Sequence, residues 1–427
     1  MDKVINSAKN ITPYGGLNFI YDGMDRMGIG QYLNEKMGAR SIFAVYSYSD
    51  VVYSLLGNTL SQGSYVADLE VLKEKYSAQF FDRIPSPDTV EYVCQELKVP
   101  TIIKQGEDQV VHQINYSSKL NAAMVGLAVK THQLNAEVSD YTLDFDHLIT
   151  ENEKQDAQWT YKHTKGYQPG MAFIGRIPVS IENRNGNTPA SFQQKETLER
   201  CFDNLDKHGI KIKNFRADSA SYQREVIELV EQRCEHFYIR MMDFEDIRAN
   251  CAEIKKWETI EINEEEKQVA SILYQPDMCD KEYRVVVTRH KRKDGQLDLL
   301  SGTAYTYQGI ITSDEITDEK SVIQFYNQRG DAENSNRYML NDFNLHHLPF
   351  PDLSTNTVYM YLMGMCAILF EWVKHVLVKN KVKGITLTMR IKAVCFHYIT
   401  IAATLVRHAR KNIMKIFSAE EYAVLQV

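Results

Sequence analysis

The chain contains no Cys-x-x-Cys pair, and its seven cysteines (Cys94, Cys201, Cys234, Cys251, Cys279, Cys366, Cys395) are scattered and odd in number. That argues against a disulfide framework and a zinc knuckle, and it fits a reducing cytoplasm. No N-terminal segment couples basic residues to an apolar run, so no secretory leader is expected. The longest apolar run, Val358 to Phe370, stops at Glu371. It is too short to span a bilayer and reads as a buried helix. No Gly-x-x-x-x-Gly-Lys-Ser/Thr segment occurs, so no ATP requirement is indicated. Internal repeats and low-complexity segments are also missing. What remains is a globular chain of 427 residues, 44% hydrophobic and 25% charged, long enough for two or three domains.

A net charge of −7 speaks weakly against a nucleic-acid partner, but the distribution of charge says otherwise. Between Trp372 and Phe417 there are ten Lys or Arg residues and no Asp or Glu. A second basic knot, Arg289-His290-Lys291-Arg292-Lys293, precedes the turn signal Asp294-Gly295. Local basic surfaces of this kind are footprints for phosphate.

Along the chain, residues 1–135 read as mostly helical, either a helix-turn-helix-like DNA reader or a plain bundle. Helical spacing runs over 46–60, 66–76, 88–97 and 115–129, and Ser86-Pro87-Asp88 is a helix start. Residues 136–240 read β-β-β-α-β-α-β, a mixed α/β sheet. Its strands are 141–146, 170–174, 177–182, 210–218 and 236–240, and its helices 191–208 and 221–234. Residues 241–311 turn β-rich without helices, an inserted subdomain with the basic knot at a hairpin tip. Residues 312–427 read as helices over 318–340, 355–378 and 389–416.

Three carboxylates stand out by position. Asp146 ends the first strand of the α/β unit, Asp218 ends the strand before a helix, and Glu333 follows the β insertion. Strand ends of an open sheet are where ligand sites form. In Leu143-Asp144-Phe145-Asp146 both Asp side chains share a strand face. That is costly in a core and sensible for gripping a divalent cation. Carboxylates from different elements suit Mg²⁺, with Mn²⁺ as a substitute, and two such ions would serve an in-line phosphoryl displacement. Tyr326, Arg329 and Glu333, at about 100° per residue, fall within roughly 60° of one another on a helix. His346-His347 reads as structural, and Ser219 and Ser221 as helix-start residues.

With Asp146 and Asp218, the stretch Tyr326-x-x-Arg329-x-x-x-Glu333 resembles the bacterial DDE (Asp-Asp-Glu) insertion-sequence transposases whose signature helix reads Tyr-x-x-Arg-x-x-x-Glu and then Lys. The resemblance extends to Asn10 through Leu17, Pro85 through Thr89, Phe215-Arg216-Ala217-Asp218-Ser219 and Arg329 through Asn334. It implies a ribonuclease-H-like α/β catalytic core with a β-rich insertion, flanked by helical N-terminal and C-terminal regions. It implies Mg²⁺-dependent cutting of double-stranded DNA at terminal inverted repeats, then transfer of the 3′-ends to target DNA. Excision in related members passes through a hairpin. Asp146, Asp218 and Glu333 would be the catalytic metal ligands, with Asp144 the alternative first ligand. Tyr326, Arg329, Arg337, Lys291, Arg292 and Lys293 would hold DNA. A homodimer in the synapse and a bacterial, nucleoid-associated location follow from the same likeness. Two departures stand: Leu340 occupies the signature Lys position, and Leu148 stands where a small hydroxyl residue is usual. The competing readings are a DNA-binding protein without chemistry and a metal-dependent nuclease that never joins.

Overall fold

A computed structural model describes residues 11–76, 81–107, 109–242, 248, 250–251, 253–262, 264–291, 305–408, 411–419, 422 and 424–427, the side chains of 331–333 and 407 excepted. Arg292, Lys293, Asn10 and the side chain of Glu333 therefore lie outside the described residues.

Helices α1 (Gly16–Arg26), α2 (Ile29–Met37), α3 (Tyr48–Leu60), α4 (Asp68–Tyr76) and α5 (Pro87–Leu97) form the N-terminal part. Their starts follow local chemistry. Ser47 and Asp50 make a reciprocal capping box on α3, and Ser86 caps α5 with Pro87 in the first turn. A hairpin of β1 (Ile102–Gln105) and β2 (Val111–Asn115) comes next, then α6 (Ser118–Lys130).

The expected α/β order is present as β3 (Tyr141–His147), β7 (Gly170–Ile174), β8 (Ile177–Arg184), α7 (Gln194–Lys207), β9 (Ile212–Ala217), α8 (Arg224–Arg233) and β10 (His236–Arg240). A small three-stranded sheet, β4 (Thr150–Glu151), β5 (Gln158–Trp159) and β6 (Lys165–Tyr167), intervenes after β3. The strands β3, β9 and β10 run parallel, and β7 and β8 are antiparallel neighbours on the other side of β3.

The residues expected as a β-rich insertion extend this sheet. The strands β11 (Glu258–Ile262), β12 (Glu265–Tyr274), β13 (Tyr283–Lys291) and β14 (Tyr305–Thr312) form a meander, and β14 pairs with β10. At the far edge β2 pairs with β8, so an 11-stranded sheet runs β1-β2-β8-β7-β3-β9-β10-β14-β13-β12-β11. Alternation cannot report such continuity, because it specifies a strand's faces and not its neighbours.

Two helical expectations are corrected. The segment 318–340 is not one helix but α9 (Glu319–Asn327) and α10 (Gly330–Asn341), meeting at Gln328-Arg329. There the Arg329 amide bonds the Tyr326 carbonyl, tightening the turn. The segment 389–416 is not helical throughout. After α11 (Leu353–Lys379) come the single turn α12 (Ile391–Val394), a widened turn at Cys395–Ile399, and a hairpin of β15 (Ala403–His408) and β16 (Lys411–Ile416). The β-branched Thr404 and Val406 suit the extended backbone better than a helix.

Helix α11 is long and apolar enough to cross a membrane by length and composition, but 89% of its most apolar window is buried. It packs against α3, α5, α6 and β8 as the spine of the core. Asn121 and Tyr361 fix it to the sheet: the Tyr361 hydroxyl donates to the Ile181 carbonyl at 2.7 Å, and Asn121 bridges Ile181 and Tyr361. Near the N-terminus, Gly16 lies so close to the widened turn that a Cβ there would stand 2.2 Å from the Tyr398 carbonyl oxygen.

Candidate active site

In the parallel register Asp144 lies opposite Arg216, and Phe145 opposite Ala217. One residue further, Asp146 and Asp218 leave the carboxyl ends of adjacent strands, whose spacing is about 4.8 Å. The alternating faces of the strands place Asp144, Asp146, Arg216 and Asp218 on one side of the sheet.

The two aspartates of β3 have different employment. Asp144 is buried and receives Arg216 Nε and Nη2, each at 2.7 Å, on its two oxygens. Arg216 also donates Nη1 to the Phe325 carbonyl at 2.6 Å and lies 4.8 Å from that residue's ring. Asp144, the alternative first ligand, is thus committed to a buried ion pair. Asp146 is more open: Oδ1 accepts from the His147 amide at 2.9 Å, and Oδ2 faces Arg329 Nη2 at 3.3 Å and Asn336 Nδ2 at 3.2 Å. Asp218 caps a single 3₁₀ turn, Ser219–Ser221, by accepting the Ala220 amide at 3.1 Å on one oxygen.

The helix pair α9–α10 is stitched over these strand ends. Besides the bonds from Arg216, Arg329 and Asn336, the Tyr326 hydroxyl donates to the Ala217 carbonyl at 3.1 Å; toward the start of β3, Ser335 Oγ ties α10 to the Gly175 carbonyl at 3.3 Å in the β7–β8 turn. Position 333 lies between Arg329 and Asn336 on this helical segment. At 100° per residue it falls within about 60° of both. Burial pushes the Tyr326 hydroxyl up to about 12, with Arg329 and Arg240 opposing the rise and Asp218 and Asp146 adding to it. One ring therefore senses both strand-end carboxylates and two guanidinium groups.

Tyr326 and Arg329, expected to hold DNA, are buried and turned onto Ala217 and Asp146. Arg337 is exposed, and Leu340 packs against the core. Lys291 is exposed at the end of β13, whereas Arg289 of the same basic knot is fixed between the Trp257 and Tyr305 rings, 4.1 and 4.4 Å from their centroids. Of the basic C-terminal stretch, Lys374 is buried against Glu371 at 2.8 Å, and Arg390 is paired with Asp342. His346 contacts Asn341 and His347 the Tyr65 ring, as structural residues would.

Arg216, Asn336 and Arg240 were not singled out from the sequence. Arg216 carried a usable signal: an arginine two before Asp218 shares its strand face and needs a buried counter-charge. Asn336 carried none, because an amide on a helix is common. Among the described residues no three His, Cys, Asp or Glu side chains cluster as a metal centre. The described part supplies Asp146 and Asp218, hard oxygen donors at neighbouring strand ends, which fit a cation that keeps several waters.

Residues 9–425 match the family model described as transposase DDE domain, group 1. No curated protein matches the chain. Among solved structures the chain is similar to a piggyBac transposase, in a cryo-EM synaptic complex with hairpin DNA. The identity is 10%, the likeness covers 92% of this chain and 82% of that one, and the TM-score is 0.43.

Proposed function

The chain belongs to the DDE transposase family, and from that premise we propose that it cuts DNA at the terminal inverted repeats of a bacterial insertion sequence and transfers the 3′-ends to target DNA. Asp146, Asp218 and Glu333 are the catalytic residues of this reading, and they would hold Mg²⁺, or Mn²⁺ in its place. The observation that carries it is the meeting of Asp146 and Asp218 at the ends of β3 and β9 beneath the helix bearing position 333. The strand order β8-β7-β3-β9-β10, antiparallel on one side of β3 and parallel on the other, supports a ribonuclease-H-like core.

When bound, divalent cations supply activation of the attacking water or 3′-hydroxyl and stabilise the leaving oxygen. The chain's own residues position the rest. Arg329 balances the charge of Asp146, which would hold the cation, and its guanidinium would be the group beside that carboxylate able to pair with a DNA phosphate. Tyr326 keeps α9 against the strand before Asp218, so the third carboxylate's helix is held at a set height over the sheet. Arg216 neutralises Asp144 and leaves Asp146 as the β3 carboxylate nearest the strand end.

The test uses DNA flanking the gene as substrate in paired-end cleavage and strand-transfer assays with Mg²⁺. Cut ends joined to a target, lost in Asp218→Asn with DNA binding kept, support the reading. Tight binding without cutting would favour a DNA-binding protein, and cutting without joining a nuclease. Joining requires two ends in one synapse, for which a homodimer acting on DNA in the bacterial cytoplasm is the simplest arrangement.

A further inference from the structure

The ladder of β3 and β7 does not stop at the carboxyl end of β3. The Leu148 amide bonds the Pro169 carbonyl at 3.0 Å, and Thr150 and Glu151 of β4 then pair with Tyr167 and Gly166 of β6. With β5 added, this small sheet carries a finger, residues 158–167, outward from the strand end that bears Asp146. The base of the finger is locked. Tyr167 is fully buried with its hydroxyl on Asp156, and the Gln158 amide donates to Asn185 Oδ1 at 3.0 Å. The tip is a tight turn in which the Thr160 amide bonds the Thr164 carbonyl at 2.8 Å and His163 stands at φ +59°.

The side chains that this stem offers to solvent are aromatic and basic. Trp159 and Tyr161 are 61% and 70% exposed, and Lys165 and Lys162 lie over their rings at 5.7 and 5.9 Å. Beside the finger lies a groove of about 550 Å³ between β4, the start of α5 and residues 346–350. Its floor is apolar, with Leu348, Pro349 and Phe350, and one wall is Tyr65, whose ring meets that of His347 at 5.3 Å. Its rim is acidic: Asp88, Glu91, Glu151 and Glu153 stand against Lys154 among the described lining residues. Lys165 reaches Glu153 at 3.9 Å, so the basic finger and the acidic groove adjoin.

We propose that two copies of this chain associate about a two-fold axis, each seating its Trp159-to-Lys165 finger in the other's groove. The inference rests on the transposition reading only in that two DNA ends call for two protomers. Its own ground is complementarity. An isologous interface needs one patch that carries both halves of the contact, and here a basic aromatic projection and an acidic recess with an apolar floor lie side by side. The same acids disfavour DNA as the occupant, because a phosphate backbone laid along the finger would run beside four carboxylates. At their stated exposures the two rings offer on the order of 150 Å² each. Counted twice by the symmetry and matched by the groove walls, that comes to about 1,200 Å², the lower end of stable interfaces. A partner held this way sits at the Asp146 end of β3.

The test is sedimentation velocity of the full-length chain over a concentration series, without DNA or metal. The wild type is expected to pass from monomer to dimer as concentration rises. Trp159→Ser/Tyr161→Ser should weaken association by about 10²-fold, and Lys162→Glu or Glu91→Lys alone by about tenfold. Mixing Lys162→Glu with Glu91→Lys should restore it, because each finger then meets a groove of opposite charge. A wild type that stays monomeric throughout, variants that associate as the wild type does, or a mixture no tighter than its components overturns the interface. If the serine pair unfolds, the charge-swapped pair carries the test alone. A serine variant that loses affinity for duplex DNA while its self-association is unchanged would make the finger a nucleic-acid contact and sink the proposal. A dimer that obeys the charge swap in a chain that never cuts DNA would remove the transposition reading and leave the interface standing.

Discussion

Arg216 holds Asp144 in a two-bond clamp across the parallel strand pair, both bonds 2.7 Å, and neither side chain reaches solvent appreciably. Removing one partner leaves the other charge buried alone. Arg216→Met is therefore expected to destabilise the fold by about 3–5 kcal/mol in urea unfolding, and the double variant Arg216→Met/Asp144→Leu to recover most of that. A double variant as unstable as the single would show that Arg216 acts through Phe325 instead.

Asp146→Asn and Asp218→Asn remove a negative charge and one metal-ligand type while keeping shape. Each is expected to lower Mg²⁺-dependent cutting by about 10³-fold, the equivalent of several kcal/mol at the transition state. Gel-shift affinity for the same DNA should change little. Asp144→Asn should separate from them by losing stability while keeping a larger share of the activity, as measured by cleavage per folded molecule.

Tyr326→Phe deletes only the hydroxyl that bonds the Ala217 carbonyl. The expected stability loss is about 0.5–1.5 kcal/mol. Strand cleavage should fall further than stability does, because α9, which leads directly into the helix bearing position 333, loses its Tyr326 tie to the strand before Asp218. Equal activity in Tyr326→Phe and wild type, assayed at saturating DNA, would contradict that positioning role.

Asp314 sets an acid limit on the sheet-to-helix connection. Burial alone would raise its carboxyl, but hydrogen bonds from Thr317, Tyr238 and Ile316 outweigh it and hold the group well below its ordinary value of 3.8. The unfolded chain then takes up the proton first. This stabilisation is complete above the ordinary value and is lost as pH falls from there toward the folded-state value. Asp314→Asn should be less stable near neutrality and show a flatter decline below pH 4, followed by urea midpoints across pH.

Gly16→Ala would drive a methyl into the Tyr398 carbonyl and the Ile399 backbone, neither of which can rotate away. A loss of about 1–3 kcal/mol is expected from thermal unfolding. The substitution should spare Asp146 and Asp218, so activity per folded molecule should be retained.

Much of the fold was legible because periodicity and caps are local. Ser86-Pro87-Asp88, the helical spacing of 46–60 and the alternation of 141–146 placed their elements within a few residues. Sheet neighbours were not legible: the pairing of β10 with β14 and of β2 with β8 depends on contacts far apart in the chain. The break at Gln328-Arg329 was hidden for another reason. Both residues keep helical backbone angles, so nothing in their propensity marks the interruption. At the site, the paired-carboxylate logic found the strand ends, but it could not tell that Asp144 is already answered by Arg216. That distinction needs the register of β3 against β9.

The bonds that assemble the site also carry a timetable. Arg216 reaches Asp144 across 72 residues, Tyr326 reaches Ala217 across 109, and Asn336 reaches Asp146 across 190. Closing such loops is slow and comes after local structure. During synthesis both aspartates emerge long before position 333, and a nascent or shortened chain ending before α10 holds two carboxylates without the third. The proposed constellation is complete only once the chain has grown past α10.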